Sequence, residues 1–183
     1  MDNARVLLSL MPNKKYCEDA ARRGDLSLLK YAHEKGCPWD EYTCRLAAEN
    51  GHLECLTYLH DSGCPWYTDT CMWAAINNHL DCLKYAHENG CPWDEQVCCM
   101  SADKGHLECL KYAHENGCPW GGWTIFWAAT NGRLECLKYA HENGCPWDKD
   151  ACKAAYEKGR TECLRYLVDN RCIGFEKYIH VFK

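Results

Sequence analysis

The chain has 183 residues, 47% of them hydrophobic and a formal net charge of −5, room for one good core or several small stacked units. The charge is spread along the sequence with no basic block, which excludes the clustered Lys/Arg stripe of a nucleic-acid groove. The longest apolar run, RVLLSLM at 5–11, is far short of the roughly 20 residues of a membrane span; it has one positive charge before it and no small-residue cleavage pattern after it, so it does not read as a signal peptide.

In chain order, residues 2–11 (DNARVLLSLM) predict a lone helix over the first repeat, within an N-terminal cap at 1–16. Helical pairs follow at 17–36, 44–63, 71–90, 98–117, 125–144 and 152–171. Residues 173–183 (IGFEKYIHVFK) cover the last pair, within a C-terminal cap at 172–183, and the whole of 1–183 reads as one domain. The register comes from GCPW-type cysteines at 37, 64, 91, 118 and 145, continued by Cys172; every step is 27 residues. A constant period of that size marks a stacked repeat architecture.

Residues 37–63, CPWDEYTCRLAAENGHLECLTYLHDSG, show how one unit is written. Asp40 is a natural N-cap after the Pro-Trp turn, and Glu41 suits the first turn of a helix. EYTCRLAAEN forms the first helix, and Asn50-Gly51 breaks it. HLECLTYLHDS forms the second, with Leu53, Leu56 and Leu59 at three-residue spacing. Gly63 ends it as a C′ residue, and Pro65 prevents continuation. So short a connection makes the two helices an antiparallel hairpin.

At LAAENGHLECLTYL the chain resembles the ankyrin repeat family, whose helix–turn–helix core AA-x-x-GHLE-x-L-x-x-L-x-x-x-G stands at 47–63 and, with changes, in every pair. The resemblance covers almost the whole chain and implies an all-α, ankyrin-like solenoid of about six stacked helix–turn–helix repeats with half-repeat caps. Two features depart from the family pattern. The period is 27 residues, not about 33, and TCRL stands where T-P-L-H would be. The missing residues are those of the β-hairpin between units, so those loops are expected to be shortened or absent. The chain looks like the short, Cys-rich ankyrin-like repeat of protists and large DNA viruses.

The seventeen cysteines are an odd number, recur at a fixed period in apolar positions and accompany no export signal, which fits reduced thiols in an intracellular protein, cytoplasmic or nuclear. Four positions per repeat could ligate zinc: Cys44, Cys55, His60 and Cys64; Cys71, Cys82, His87 and Cys91; and Cys98, Cys109, His114 and Cys118. Three observations favour packing over metal. The resemblance places these positions on the buried face. Leu28, Ile125 and Val168 replace them in incomplete repeats. Cys55 and His60 lie about 140° apart around one helix. The expectation is therefore no cofactor, with Cys₃His zinc sites, or thiol redox and metal buffering, as the alternatives. The replicated Cys and His argue against a single catalytic constellation, and no P-loop or dinucleotide fingerprint is present; the chain reads as a non-enzyme.

Function is sought at positions that vary between repeats. The two residues after the first-helix Cys slot are Glu18-Asp19, Arg45-Leu46, Met72-Trp73, Cys99-Met100, Phe126-Trp127 and Lys153-Ala154. In ankyrin-like stacks the first helices line the concave side, which would carry acidic Glu18 and Asp19 at one end. An apolar centre would follow: Met72, Trp73, Met100, Phe126 and Trp127, with Trp123 in the adjacent turn and Arg45 nearby. Since neighbouring helical positions lie about 100° apart, one member of each pair is expected in the core and the other at the surface. Aromatic and Met side chains there would anchor a protein partner, or a second copy of the chain in a homodimer; nucleic acid and membrane are not expected partners.

Overall fold

The computed structural model describes residues 13–182; the lone helix expected over 2–11 lies outside them. Among the described residues the chain forms twelve α-helices and one 3₁₀ segment, with no strand. The connections that carry β-hairpins in longer repeats are short extended turns here. The residues fall into two compact units, Met1–Trp93 and Asp94–Lys183.

The first unit holds three hairpins: α1 (Lys14–Arg23) with α2 (Leu26–Glu34), α3 (Glu41–Glu49) with α4 (Leu53–Asp61), and α5 (Thr68–Ile76) with α6 (Leu80–Glu88). The second unit holds α7 (Glu95–Lys104) with α8 (Leu107–Glu115), α9 (Gly122–Thr130) with α10 (Leu134–Glu142), and α11 (Ala151–Glu157) with α12 (Thr161–Asp169), followed by the 3₁₀ segment Phe175–Phe182. Within each unit, first helices pack on first helices and second helices on second helices. Residues 14–16 belong to α1 instead of to a separate cap, because the Asn13 side chain accepts the Lys15 N–H at 2.9 Å and starts the helix there.

The core of each repeat is small. Adjacent alanines such as Ala47-Ala48, Ala74-Ala75 and Ala128-Ala129 are fully buried where first helices approach one another. Leu56, Leu83, Leu110 and Leu137 fill the space behind the second helices and are equally buried. All 17 cysteines are buried and free. The GCPW cysteines tie each hairpin shut: Cys64 Sγ donates to the Asp40 carbonyl at 3.2 Å, Cys118 to Asp94 at 3.1 Å and Cys145 to Gly121 at 3.2 Å. Each of these bonds joins the end of a second helix to the residue that starts the first helix of the same repeat.

Neighbouring repeats are also clamped at the turn between their helices. Gly24 has φ +71°, and a Cβ there would lie 2.5 Å from His52 Nδ1. The same imidazole makes a 3.1 Å hydrogen bond from Nε2 to the Arg22 carbonyl. In the last two repeats arginine, Arg133 and Arg160, replaces histidine. Arg133 packs its Cδ 2.8 Å from where a Gly105 Cβ would sit, and its Nε donates to the Asp103 carbonyl at 3.1 Å. A side chain on the glycine would displace the clamp, so the Gly of each such turn serves close packing as well as positive φ.

Candidate protein-interaction face

The variable positions of the first helices lie where the sequence places them, on α3, α5, α7 and α9, but their burial divides differently. Arg45 is half-buried beside buried Leu46, and Met100 is half-buried beside buried Cys99, so these two pairs split between surface and core. Met72-Trp73 and Phe126-Trp127 do not split: all four residues are half-buried. Ala74-Ala75 and Ala128-Ala129, which follow them, occupy the centre of the helix contact. The larger side chains straddle its edge, each covered on one side and open on the other.

In the first unit, the Arg45 guanidinium carbon sits 5.2 Å from the Tyr42 ring centroid and 4.4 Å from that of Trp73. Its Nε is buried without a hydrogen-bond partner; the nearest carboxylate oxygen, Glu49 Oε2, stands 3.6 Å away. Aromatic faces therefore hold this cation more than its carboxylate does. Tyr42 and Tyr67 are both exposed, and with Glu41, Arg45, Asp69 and Thr70 they line a shallow cavity between α3 and α5. Glu18 and Asp19 are half-buried and neutralised locally, by Lys14 at 3.2 Å and Arg22 at 2.7 Å.

In the second unit, Trp123 is 55% exposed. Its ring meets Phe126 edge-on at a centroid distance of 5.3 Å, and Phe126 meets Trp127 in the same way at 5.2 Å. Phe126 also floors a cleft rimmed by Thr130, Asp150, Lys153, Glu157 and Lys158. Gly121 and Gly122 stand where two other repeats carry Asp-Glu, and Trp123 follows them directly.

The potential zinc ligands take separate places. In the second repeat, Cys44 faces Cys64, whose carbonyl is 3.9 Å from the Cys44 sulfur. His60 instead stacks on Trp66 at 3.9 Å and shares a 3.2 Å hydrogen bond between its Nδ1 and the Tyr85 hydroxyl of the next repeat. The same joint recurs at His33–Trp39–Tyr58, His114–Trp120–Tyr139 and His141–Trp147–Tyr166, with His–Tyr distances of 3.0, 2.9 and 2.8 Å. Among the described residues no group of three or more His, Cys, Asp or Glu side chains is placed to hold a metal ion. This aromatic joint was not read from the sequence; its signal is a Tyr 25 residues after each second-helix His.

Burial governs the thiols. It pushes the second-helix cysteines from an ordinary 9.0 up to about 11 at Cys55, Cys109, Cys136 and Cys163, and to about 12 at Cys82. Four first-helix cysteines lie within hydrogen-bonding reach of the thiol that closes their own repeat: Cys44 with Cys64, Cys71 with Cys91, Cys98 with Cys118, and Cys152 with Cys172. In two of these pairs the partner's hydrogen bond lowers one thiol, Cys91 and Cys152, against the opposing effect of burial.

This geometry, hairpins stacked in register within each unit with small residues at the contacts and varied side chains on the first helices, defines a helical-repeat scaffold of the kind used to bind other proteins. The family model "Ankyrin repeats (3 copies)" matches residues 18–96 and 71–151. The chain belongs to the ankyrin repeat family, whose members generally serve as protein–protein interaction modules. The structure is similar to the human ASB11 ankyrin repeat domain, with a TM-score of 0.73, 20% identity, and coverage of 84% of this chain and 82% of that one. No curated protein matches the sequence. Among the described residues no helix is long and apolar enough to cross a membrane.

Proposed function

We propose that the chain is a non-enzymatic, intracellular binding module that holds a protein partner against its first-helix face. The observation that carries this reading is Trp123. Its slot in the repeat is Lys15, Tyr42, Asp69, Gln96 and Asp150 elsewhere, so folding does not require an apolar residue there. A 55% exposed Trp, edge-on to Phe126, is costly to leave in water and well suited to desolvation by a partner. Trp73, Met72 and Arg45 in the first unit and Met100 and Trp127 in the second are the further contact residues.

The test is quantitative affinity capture from cells with the wild-type chain and the variant Trp123→Ser/Phe126→Ser, each checked for an unchanged helical circular dichroism spectrum. A specifically captured protein should bind the variant about 30-fold more weakly, the loss of one anchor worth about 2 kcal/mol. Identical capture by both proteins would sink the reading, and capture of only a second copy of the chain would redirect it to a homodimer.

We further infer that the cysteines and histidines work without zinc. The separation of His60 from Cys44 and Cys64, and its engagement with Trp66 and Tyr85, support this. Elemental analysis of protein purified without chelator or affinity metal should find no stoichiometric zinc; about three zinc per chain would instead make the Cys₃His sets the organising element of each repeat.

A further inference from the structure

We propose that the thiol pairs Cys44–Cys64, Cys71–Cys91, Cys98–Cys118 and Cys152–Cys172 are sites of reversible oxidation, closing on exposure to a peroxide into disulfides that staple each helical hairpin to itself. The inference is independent of partner binding. It rests on a juxtaposition that recurs: the first-helix sulfur of a repeat faces the residue, 20 positions later, that ends the same repeat. Cys44 Sγ lies 3.9 Å from the Cys64 carbonyl, and Cys64 Sγ is fixed 3.2 Å from the Asp40 carbonyl, so both sulfurs occupy the space between the start of α3 and the end of α4. In each of the four pairs the two thiols are also within hydrogen-bonding reach of one another.

The first repeat shares the juxtaposition, with Cys17 Sγ 3.8 Å from the Cys37 carbonyl, whereas the fifth repeat breaks the pattern. Ile125 stands where the first-helix thiol would be, and Cys145 has no partner of this kind. The second-helix thiols Cys55, Cys82, Cys109, Cys136 and Cys163 are also outside it.

The chemistry balances with the peroxide alone. In the Cys152–Cys172 pair, the Cys152 sulfur gives up its proton and attacks one peroxide oxygen. The O–O bond breaks, leaving a sulfenic acid and a hydroxide that takes the proton as water. The Cys172 sulfur then displaces the sulfenic hydroxyl, which leaves with the second thiol proton as water. Two thiols lose two electrons, and hydrogen peroxide is reduced to two waters. The hydrogen bond from Cys172 favours ionisation of Cys152, supplying a nucleophile with its resolving thiol beside it. The product is neutral, so no charge is left in the apolar interior. Cys172 Sγ also lies 3.8 Å from the Asp148 carbonyl, against 3.1–3.2 Å for Cys64, Cys91, Cys118 and Cys145 at their equivalents, so it is the least committed of these five closing thiols.

The test treats the folded full-length chain with hydrogen peroxide. Free thiols are then blocked in denaturant, and the remaining links are mapped by peptide mass spectrometry before and after reduction. The expected result is linkage at 20-residue separation, with Cys152–Cys172 forming first, while Cys145 and the second-helix thiols stay free. The variant Ile125→Cys restores the missing partner and should add a link between position 125 and Cys145 that the wild type lacks. Peroxide treatment that leaves all thiols free, links at other separations, or a Cys145 link in the wild type would each overturn the proposal. So would an Ile125→Cys chain that is folded and yet fails to gain the fifth link.

Discussion

Raising the pH from about 8 to about 11 under reducing conditions should unfold the protein, because its second-helix thiols are held protonated by burial. Cys55, Cys109, Cys136 and Cys163 are pushed up to about 11 and Cys82 to about 12, while an unfolded cysteine ionises near 9.0. A group whose folded pKa is raised contributes stability that is fully present below the unfolded value and is lost as pH rises through the folded one. Above about pH 9 the unfolded chain releases these protons while the folded chain retains them. Each thiol then removes about 1.4 kcal/mol of stability per pH unit, and roughly 2–3 kcal/mol by the time its folded value is reached. The five thiols together then remove about 10–15 kcal/mol, as much as the roughly 5–15 kcal/mol that holds a domain folded. Urea titrations at about pH 7.5, 8.5 and 9.5, with thiolate absorbance followed in parallel, should show stability falling steeply only at the last step. Cys82→Ala should reduce that slope by about one thiol's share. A flat profile to about pH 10, or folded protein releasing near pH 9 more thiolate than Cys91 and Cys152 supply, would remove burial as the governing feature of the second-helix cysteines.

The second large effect separates two leucines three positions apart in the sequence LECLKY. Leu110 is fully buried in α8, whereas Leu107 at the start of the same helix is half-buried. Leu110→Ala should cost about 3 kcal/mol, combining lost burial with a cavity that the helix contacts cannot close. Leu107→Ala should cost only about 1 kcal/mol, since its site stays partly open to water. Denaturant unfolding of the two variants measures the difference. Equal costs would mean that the second helices do not pack on this face.

Much of the scaffold was legible before any coordinates. Asn50-Gly51 and Gly63-Cys64-Pro65 mark turns through backbone chemistry local to a few residues. The helices end within a residue of where those signals place them. Burial of the cysteines also followed from the sequence, because Leu28 and Ile125 occupy equivalent cysteine slots and a packing position accepts such exchanges. The candidate face was less legible. An offset of 100° between neighbours predicts one buried and one exposed residue in each pair, yet Met72-Trp73 and Phe126-Trp127 all end half-buried. Helical periodicity fixes a direction but not how closely the next helix approaches, and the alanines of the contact set that distance.

The sequence by itself determined the period, the hairpins, the turns and the apolar lining, all of which depend on interactions within a few residues or on a pattern repeated along the chain. Only the tertiary structure decided what each polar ring does. His33 and Tyr58 lie 25 residues apart, as do His141 and Tyr166, and they meet at 3.0 and 2.8 Å across the boundary between repeats. The clamp of His52 on Gly24 likewise joins two repeats. Hydrogen bonds and ring contacts need positions fixed to a few tenths of an ångström, and one repeat acquires them only when its neighbour has packed against it.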